Sequence, residues 1–192
     1  MITSALHAAF PPDVADRIIT TIRLDIDATE QDVLAATLPL VAQAERDREL
    51  ATVRALTDAI GAGGRGAAGA PAVLRALQAG QVETLVMAED FTAAGWADYG
   101  RETYGVGDVP AAHPLGGAAE DLVAVDLVEE LMRLASRTGA AVEIIHSAVP
   151  LDETEESVIP QAGTPPPRSQ AATLLDPLGG VGALLRFTIT PE

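Results

Sequence analysis

Apolar residues recur along this chain at two periods, and the switches between them outline its elements. From Thr29 on, Val33, Leu34, Leu38, Val41, Leu50, Val53 and Leu56 fall at helical spacing. Thr29 stands where an N-cap belongs, with acidic residues in the following turn, and Pro39 is expected to kink this helix or split it in two. Before it, residues 18–27 alternate β-branched and charged side chains in the manner of a strand, set off from the first ten residues by Pro11 and Pro12.

Beyond the long helix the pattern shortens. Five glycines between Gly61 and Gly69 predict a flexible, helix-ending loop. Pro71 is placed to open a short helix over 73–79, which Gly80 stops, and 82–87 reads as a buried strand. Residues 91–119 hold the only Trp, both Tyr and several glycines without periodicity, so an irregular insertion is expected there. A strongly amphipathic helix is predicted over 121–137, with Leu127, Leu131 and Leu134 on one face and Gly139 closing it. A strand over 141–146, an acidic, proline-rich excursion over 150–167 and a last strand over 184–189, after Gly179, Gly180 and Gly182, complete the reading. Alternating helices and strands predict an α/β protein.

Composition narrows this picture. A chain of 192 residues suits one domain, or one with a small appendage, and with 3% aromatics against 48% apolar residues its core must be built from Ala, Val, Leu and Ile. All 12 cations are arginine, and against 28 carboxylates they leave a net charge of -16. Such a surface repels phosphate backbones and gains nothing from counterion release, which argues against direct nucleic-acid binding. Salt adaptation, or a genome biased toward Ala, Gly and Arg codons, would produce the same charge. There are no cysteines, hence neither disulfides nor thiolate metal sites. With no export signal in residues 1–10 and no apolar run of membrane-spanning length, a cytoplasmic protein without membrane contact is expected.

Candidate chemistry is sparse. Residues 61–66 formally satisfy G-x-G-x-x-G, yet they follow a helix and not a strand, and the lysine of a phosphate loop does not exist in this chain. His7, His113 and His146 lie far apart, and none has a partner at metal-ligand spacing. Ser147 follows His146 directly, outside any G-x-S-x-G elbow. Glu83, Glu89 and Asp90 could serve as acid and base, with Arg186 as an ion-pair partner, but carboxylates at strand ends are usually solvated. No catalytic, cofactor-binding or metal-binding residue is therefore assigned.

Three blocks carry a family resemblance. The segment Gly69-Ala-Pro-Ala-Val-Leu-Arg-Ala-Leu-Gln-Ala-Gly-Gln-Val-Glu-Thr-Leu-Val-Met-Ala-Glu89 resembles the helix, glycine and strand that open the third, C-terminal domain of archaeo-eukaryotic release factors and Pelota. Residues 131–145 resemble that family's helix leading into a Gly-Ala-x-Val-Glu-Ile-Ile strand, and Gly179-Gly-Val-Gly-Ala-Leu-Leu-Arg-Phe187 resembles its closing segment. The blocks occur in the family's order and frame the last two-thirds of the chain.

The resemblance, to a bacterial-type member, implies a three-layer α-β-α sandwich with a mixed central sheet, related to the kink-turn-binding ribosomal proteins and preceded by a long or kinked helix. It implies a domain over 28–192, with a helical segment at about 29–60 and a core at about 69–192, after a remnant of the middle domain or a linker over 1–27. The family's Gly-Gly-Gln release tripeptide does not occur here, nor do the Asn-Glu and Lys pattern of the kink-turn binders or the cysteines that many relatives carry in the insertion. The resemblance thus implies a non-catalytic protein-interaction domain of a ribosome-associated factor acting in termination, rescue or hibernation. Its implied partners are the ribosome, through the full-length protein, and a translational GTPase such as elongation factor Tu, with no cofactor. The competing expectation is a small α/β enzyme, a hydrolase or nucleotide-binding protein.

Overall fold

The computed structural model describes residues 10–188 apart from Asp16, Gly63 and residues 149–166. The chain divides into two compact units, Met1–Arg48 and Glu49–Glu192. In the first, a single helical turn α1 (Pro12–Ala15) is followed at some distance by the start of α2 (Glu30–Gly61). Thr29 caps α2 as expected: its Oγ1 accepts the Asp32 N–H at 3.3 Å, while the Asp32 carboxylate accepts the Thr29 N–H and hydroxyl at 2.8 and 2.7 Å.

One expectation for this unit needs correction, and another is narrowed. Residues 18–27 form no strand, because alternation alone cannot hold an extended segment that has no ladder to pair with among the described residues. Of the two outcomes expected at Pro39, a split does not occur: the helix runs through it as one element even though Pro lacks the N–H for its own backbone bond.

The second unit takes in α2 from Glu49 onward and then β1 (Gly66–Ala68), α3 (Ala70–Gln78), β2 (Val82–Ala88), β3 (Ala94–Asp98), β4 (Thr103–Val106), β5 (Val123–Asp126), α4 (Leu127–Thr138), β6 (Ala141–Ile145), α5 (Gln170–Leu175) and β7 (Val181–Leu185). Four strands make a mixed sheet in the order β1-β7-β2-β6, parallel only between β2 and β6. Along β2, Val82, Leu85 and Met87 join one apolar cluster with α3 and α4, and Val86 and Ala88 join another with Val53 and Leu56 of α2, Ile145 and α5. A strand buried on both faces reads as a continuous apolar run, which is why β2 was legible. The result is the expected three-layer sandwich.

Gly182 sits where the layers come closest, since a Cβ there would lie 2.5 Å from Leu56 Cδ2 and 3.1 Å from the Ala67 carbonyl oxygen. Gly179 and Gly180 turn the chain into β7 at φ of 78° and 73°, a region that disfavours side chains.

The region expected to be an irregular insertion instead holds most of a second, three-stranded antiparallel sheet, β4-β3-β5. Its glycines hid it, yet they serve the pairing: Trp96 lies opposite Gly105, and a Cβ on Gly105 would sit 2.2 Å from the indole. The helix expected from Asp121 begins only at Leu127, since the β-branched Val123 and Val125 pair with β3 and Asp126 accepts the Val128 N–H at 2.8 Å as N-cap. The glycine-rich loop also contributes structure, its residues 66–68 pairing with β7. The last strand is Val181–Leu185, earlier than expected, and Ile189 lies outside the described residues. So does the acidic excursion over 150–167, save Pro167. Among the described residues no helix is long and apolar enough to cross a membrane.

Candidate functional site

Polar side chains gather at three places in the second unit. The first is the β3–β4 hairpin and the loop that follows it. The Asp98 carboxylate, buried at the end of β3, accepts the Gly100 and Arg101 N–H groups at 2.8 and 3.0 Å and the Arg101 guanidinium at 3.0 Å. His113 is buried beside it, with Nε2 at 3.0 Å from Asp98 Oδ2. The Leu115 N–H donates to His113 Nδ1 at 3.0 Å, so the ring proton sits on Nε2 and points at Asp98. Both ring nitrogens are thus occupied inside the fold, which makes this histidine an anchor for the loop and leaves no open ligand position. Burial alone would raise the Asp98 carboxyl, but hydrogen bonds from Arg101, His113 and Gly100 outweigh it and hold the group below the usual carboxylate range.

The second place is the end of the four-stranded sheet where β2 and β6 finish. The buried Glu49 of α2 accepts the His146 N–H at 3.2 Å and lies 2.5 Å from His146 Nδ1. The Ser169 hydroxyl donates to the His146 carbonyl at 2.6 Å and accepts the Ala172 N–H at 3.0 Å, capping α5. Glu89 accepts the Ser147 N–H at 2.8 Å, and the Ser147 Oγ is buried without a hydrogen-bond partner. Arg168 joins Asp90 at 2.8 Å to Asp176 at 2.6 Å.

The third place is the C-terminal half of α4 against the hairpin. The Arg133 guanidinium bonds the buried Glu130 and lies 5.5 and 5.3 Å from the ring centres of Tyr99 and Tyr104, whose rings meet edge to face. Burial, then the Glu130 carboxylate, push the Tyr99 hydroxyl above its ordinary value. Arg137 pairs with Glu102, which holds the Glu102 carboxyl low.

The residues singled out in the sequence do not converge. His113 and His146 belong to the first and second places, and His7 lies outside the described residues. Glu83 and the Glu89–Asp90 pair sit at opposite ends of β2, on the order of 20 Å apart at strand rise, so they form no acid–base dyad. Arg186 pairs with none of them; it donates to the Thr138 and Gly139 carbonyls at 3.3 and 2.6 Å, closing the end of α4. Residues 61–66 lead into β1. Among the described residues no group of three or more His, Asp or Glu side chains is placed to hold a metal ion. Sequence reasoning missed Asp98, Glu49 and the tyrosine–arginine cluster; the one local signal was Asp98-Tyr-Gly-Arg101, whose aspartate before a glycine is a turn signature.

Neither a family model nor a curated protein sequence matches this chain. Solved structures do. The C-terminal domain of a peptide chain release factor from Methanosarcina mazei matches with a TM-score of 0.53 at 18% identity, over 85% of this chain and 98% of that one. The fold is that of the release-factor and Pelota C-terminal domain. Pelota from Archaeoglobus fulgidus, described as showing inter-domain structural plasticity, matches with a TM-score of 0.52 at 18% identity over 97% of this chain. The release-factor likeness spans nearly a whole isolated domain, whereas this chain spans 45% of the Pelota chain. A likeness at this identity establishes the fold alone as shared; activity has to be argued from residues.

Proposed function

We propose that this chain is the C-terminal, protein-docking domain of a ribosome-associated translation factor, a bacterial-type relative of release factors and Pelota, and that it performs no chemistry itself. In this reading residues 28–192 form the docking domain, and residues 1–27 are the remnant of a preceding domain or a linker. The observation that carries the proposal is the fold shared across nearly the whole length of a release-factor C-terminal domain. The side chains support it. Three of the described groups that could act as base or nucleophile hold structural bonds: His113 to Asp98 and the loop backbone, Ser169 to the α5 cap, Asp90 to Arg168.

The partner proposed is a translational GTPase such as elongation factor Tu, with the ribosome engaged through the full-length protein in termination, rescue or hibernation. The test is co-sedimentation of the full-length protein with ribosomes from growing and starved cells, together with direct binding to the purified GTPase. Association with both is expected. Absence of association under either condition would overturn the reading, and turnover of an ester or nucleotide by the purified chain would overturn its non-catalytic part.

A further inference from the structure

Both tyrosines of the chain and three of its 12 arginines, Arg133, Arg137 and Arg186, meet where α4 ends beside the β3–β4 hairpin. Beside Tyr104 and Arg137 lies an open depression of about 180 Å³. Leu77, Tyr104 and Leu134 supply its apolar lining, and Gln78, Glu102 and Arg137 its polar one. On a chain of net charge -16 this spot gathers arginine: Arg137 lines it, paired with Glu102, while Arg133, held over the Tyr104 ring by the buried Glu130, and Arg186, on the Thr138 carbonyl, each touch a lining residue.

The site is also preorganised. Arg133 is fixed by Glu130 from below and by two aromatic faces, so little side-chain entropy remains to be lost on binding. Arg137 is half-exposed and gives its Nη2 to Glu102, its Nε and Nη1 having no hydrogen-bond partner among the described residues. Arginine and tyrosine around an apolar pocket are the side chains that dominate protein–protein hot spots.

We propose that this groove docks an acidic segment of a partner protein, one of whose apolar side chains fills the depression while a neighbouring carboxylate takes the open edge of Arg137. The inference rests on the docking reading above and gives it a surface and a partner chemistry. A phosphate chain is the poorer occupant, because it presents a charge at every residue to the field of the whole acidic molecule, whereas a short segment needs only one or two carboxylates at the local arginines.

The probe is a five-residue peptide, Asp-Leu-Glu-Leu-Asp with blocked ends, titrated into the isotope-labelled full chain and followed by NMR. The acidic peptide is expected to shift Gln78, Tyr104 and Thr138 amides and the Arg137 Nε–H, and its lysine-for-acid counterpart is not. Arg137→Gln should weaken binding by up to about fivefold, and Glu102→Gln, which removes the internal competitor, should tighten it by about twofold. Amide dispersion reports that both variants are folded. Shifts that map elsewhere, equal binding of the basic peptide, indifference to Arg137→Gln, or stronger shifts from a short single-stranded RNA would each overturn the proposal. Ribosome and GTPase association of the Arg137→Gln full-length protein separates the two levels. Association by wild type that the variant fully retains sinks the groove alone, and absence of association by wild type sinks the docking reading while the peptide titration still decides the groove.

Discussion

The two sheets of the second unit are held by different physics. The four-stranded sheet is buried on both faces by aliphatic side chains, with Leu85 and Met87 on one side of β2 and Val86 and Ala88 on the other. The three-stranded sheet adds few apolar residues of its own to that core, Ala97 and Tyr104 among them, and its hairpin and loop are fixed by Asp98, His113 and Arg101. A chain with 3% aromatics can fill a large interior with aliphatics alone, but where the segments are short and glycine-rich, hydrogen bonds to a buried carboxylate take over. The four-stranded sheet should therefore fail through cavities, and the three-stranded sheet through lost donors and acid.

The largest expected effect tests the first half of that contrast. Leu56 is fully buried against the sheet face that the small sheet does not touch, so Leu56→Ala should cost about 3 kcal/mol, read from the urea midpoint. Gly182→Ala alone should cost about 1–3 kcal/mol, because its Cβ would meet the Leu56 methyl. In the double variant that methyl is gone, and the two losses should fall well short of additive. Additive losses would show that Gly182 and Leu56 do not share the tight contact described here.

Next in size is the polar anchor. His113→Ala removes a donor from the buried Asp98 and should cost about 2 kcal/mol. It should speed hydrogen exchange over 99–121 far more than at Leu85 and Val86. Equal loss of protection in both sheets would mean that they open as one unit and would break the comparison.

Acid should separate them again. Burial pushes the Asp98 carboxyl up, but the bonds from Arg101, His113 and Gly100 win and leave it below its unfolded value of about 3.9. A carboxyl depressed by folding contributes stability that is full above the unfolded value and is lost as pH falls through the folded one. Trp96, the only tryptophan, sits on β3, so its fluorescence reports the small sheet while far-ultraviolet dichroism reports the helices. On titration below about pH 4, the Trp96 signal should change at a higher pH than the helical signal. The reverse order would count against Asp98 as the anchor.

The same contrast explains what could be read in the chain beforehand. α3, β2, α4 and β6 announce themselves through their patterns, because burying one stripe of a helix or the faces of a strand constrains the residues along it, whereas β7, expected at 184–189, lies at Val181–Leu185 with Gly182 inside it. The three-stranded sheet does not, since its strands are short and Gly95 and Gly105 make room for neighbours instead of showing an apolar pattern. Residues 18–27 err in the other direction, having a strand-like pattern with no partner strand among the described residues. The six-residue α5 is too short to show a period. At the sites, His113 was visible as a residue but its partner lies 15 positions away, and the tyrosine–arginine cluster joins a hairpin to a helix more than 25 residues later. Such partnerships are fixed by the tertiary fold, and only the resemblance to a known domain gave advance notice of that fold.

The smallest expected effect lies at the sheet end, where an arginine and an aspartate meet in water. Arg168 holds Asp90 at 2.8 Å, and its hydrogen bond depresses the Asp90 carboxyl to about 2. Taken alone that shift would suggest a strong contribution, but Asp90 is half-exposed and Arg168 can lean on Asp176 instead. Solvent screening leaves most such pairs worth less than about 1 kcal/mol, so Asp90→Asn should cost no more than that at neutral pH. The sign matches that of Asp98: the contribution is full above about pH 4 and disappears as pH falls toward 2. Urea midpoints of wild type and variant should therefore differ slightly at pH 6, converge at low pH, and converge also at neutral pH in 1 M salt. A larger, salt-insensitive gap would place Asp90 with Asp98 among the buried anchors, and exposure would then no longer distinguish the two carboxylates.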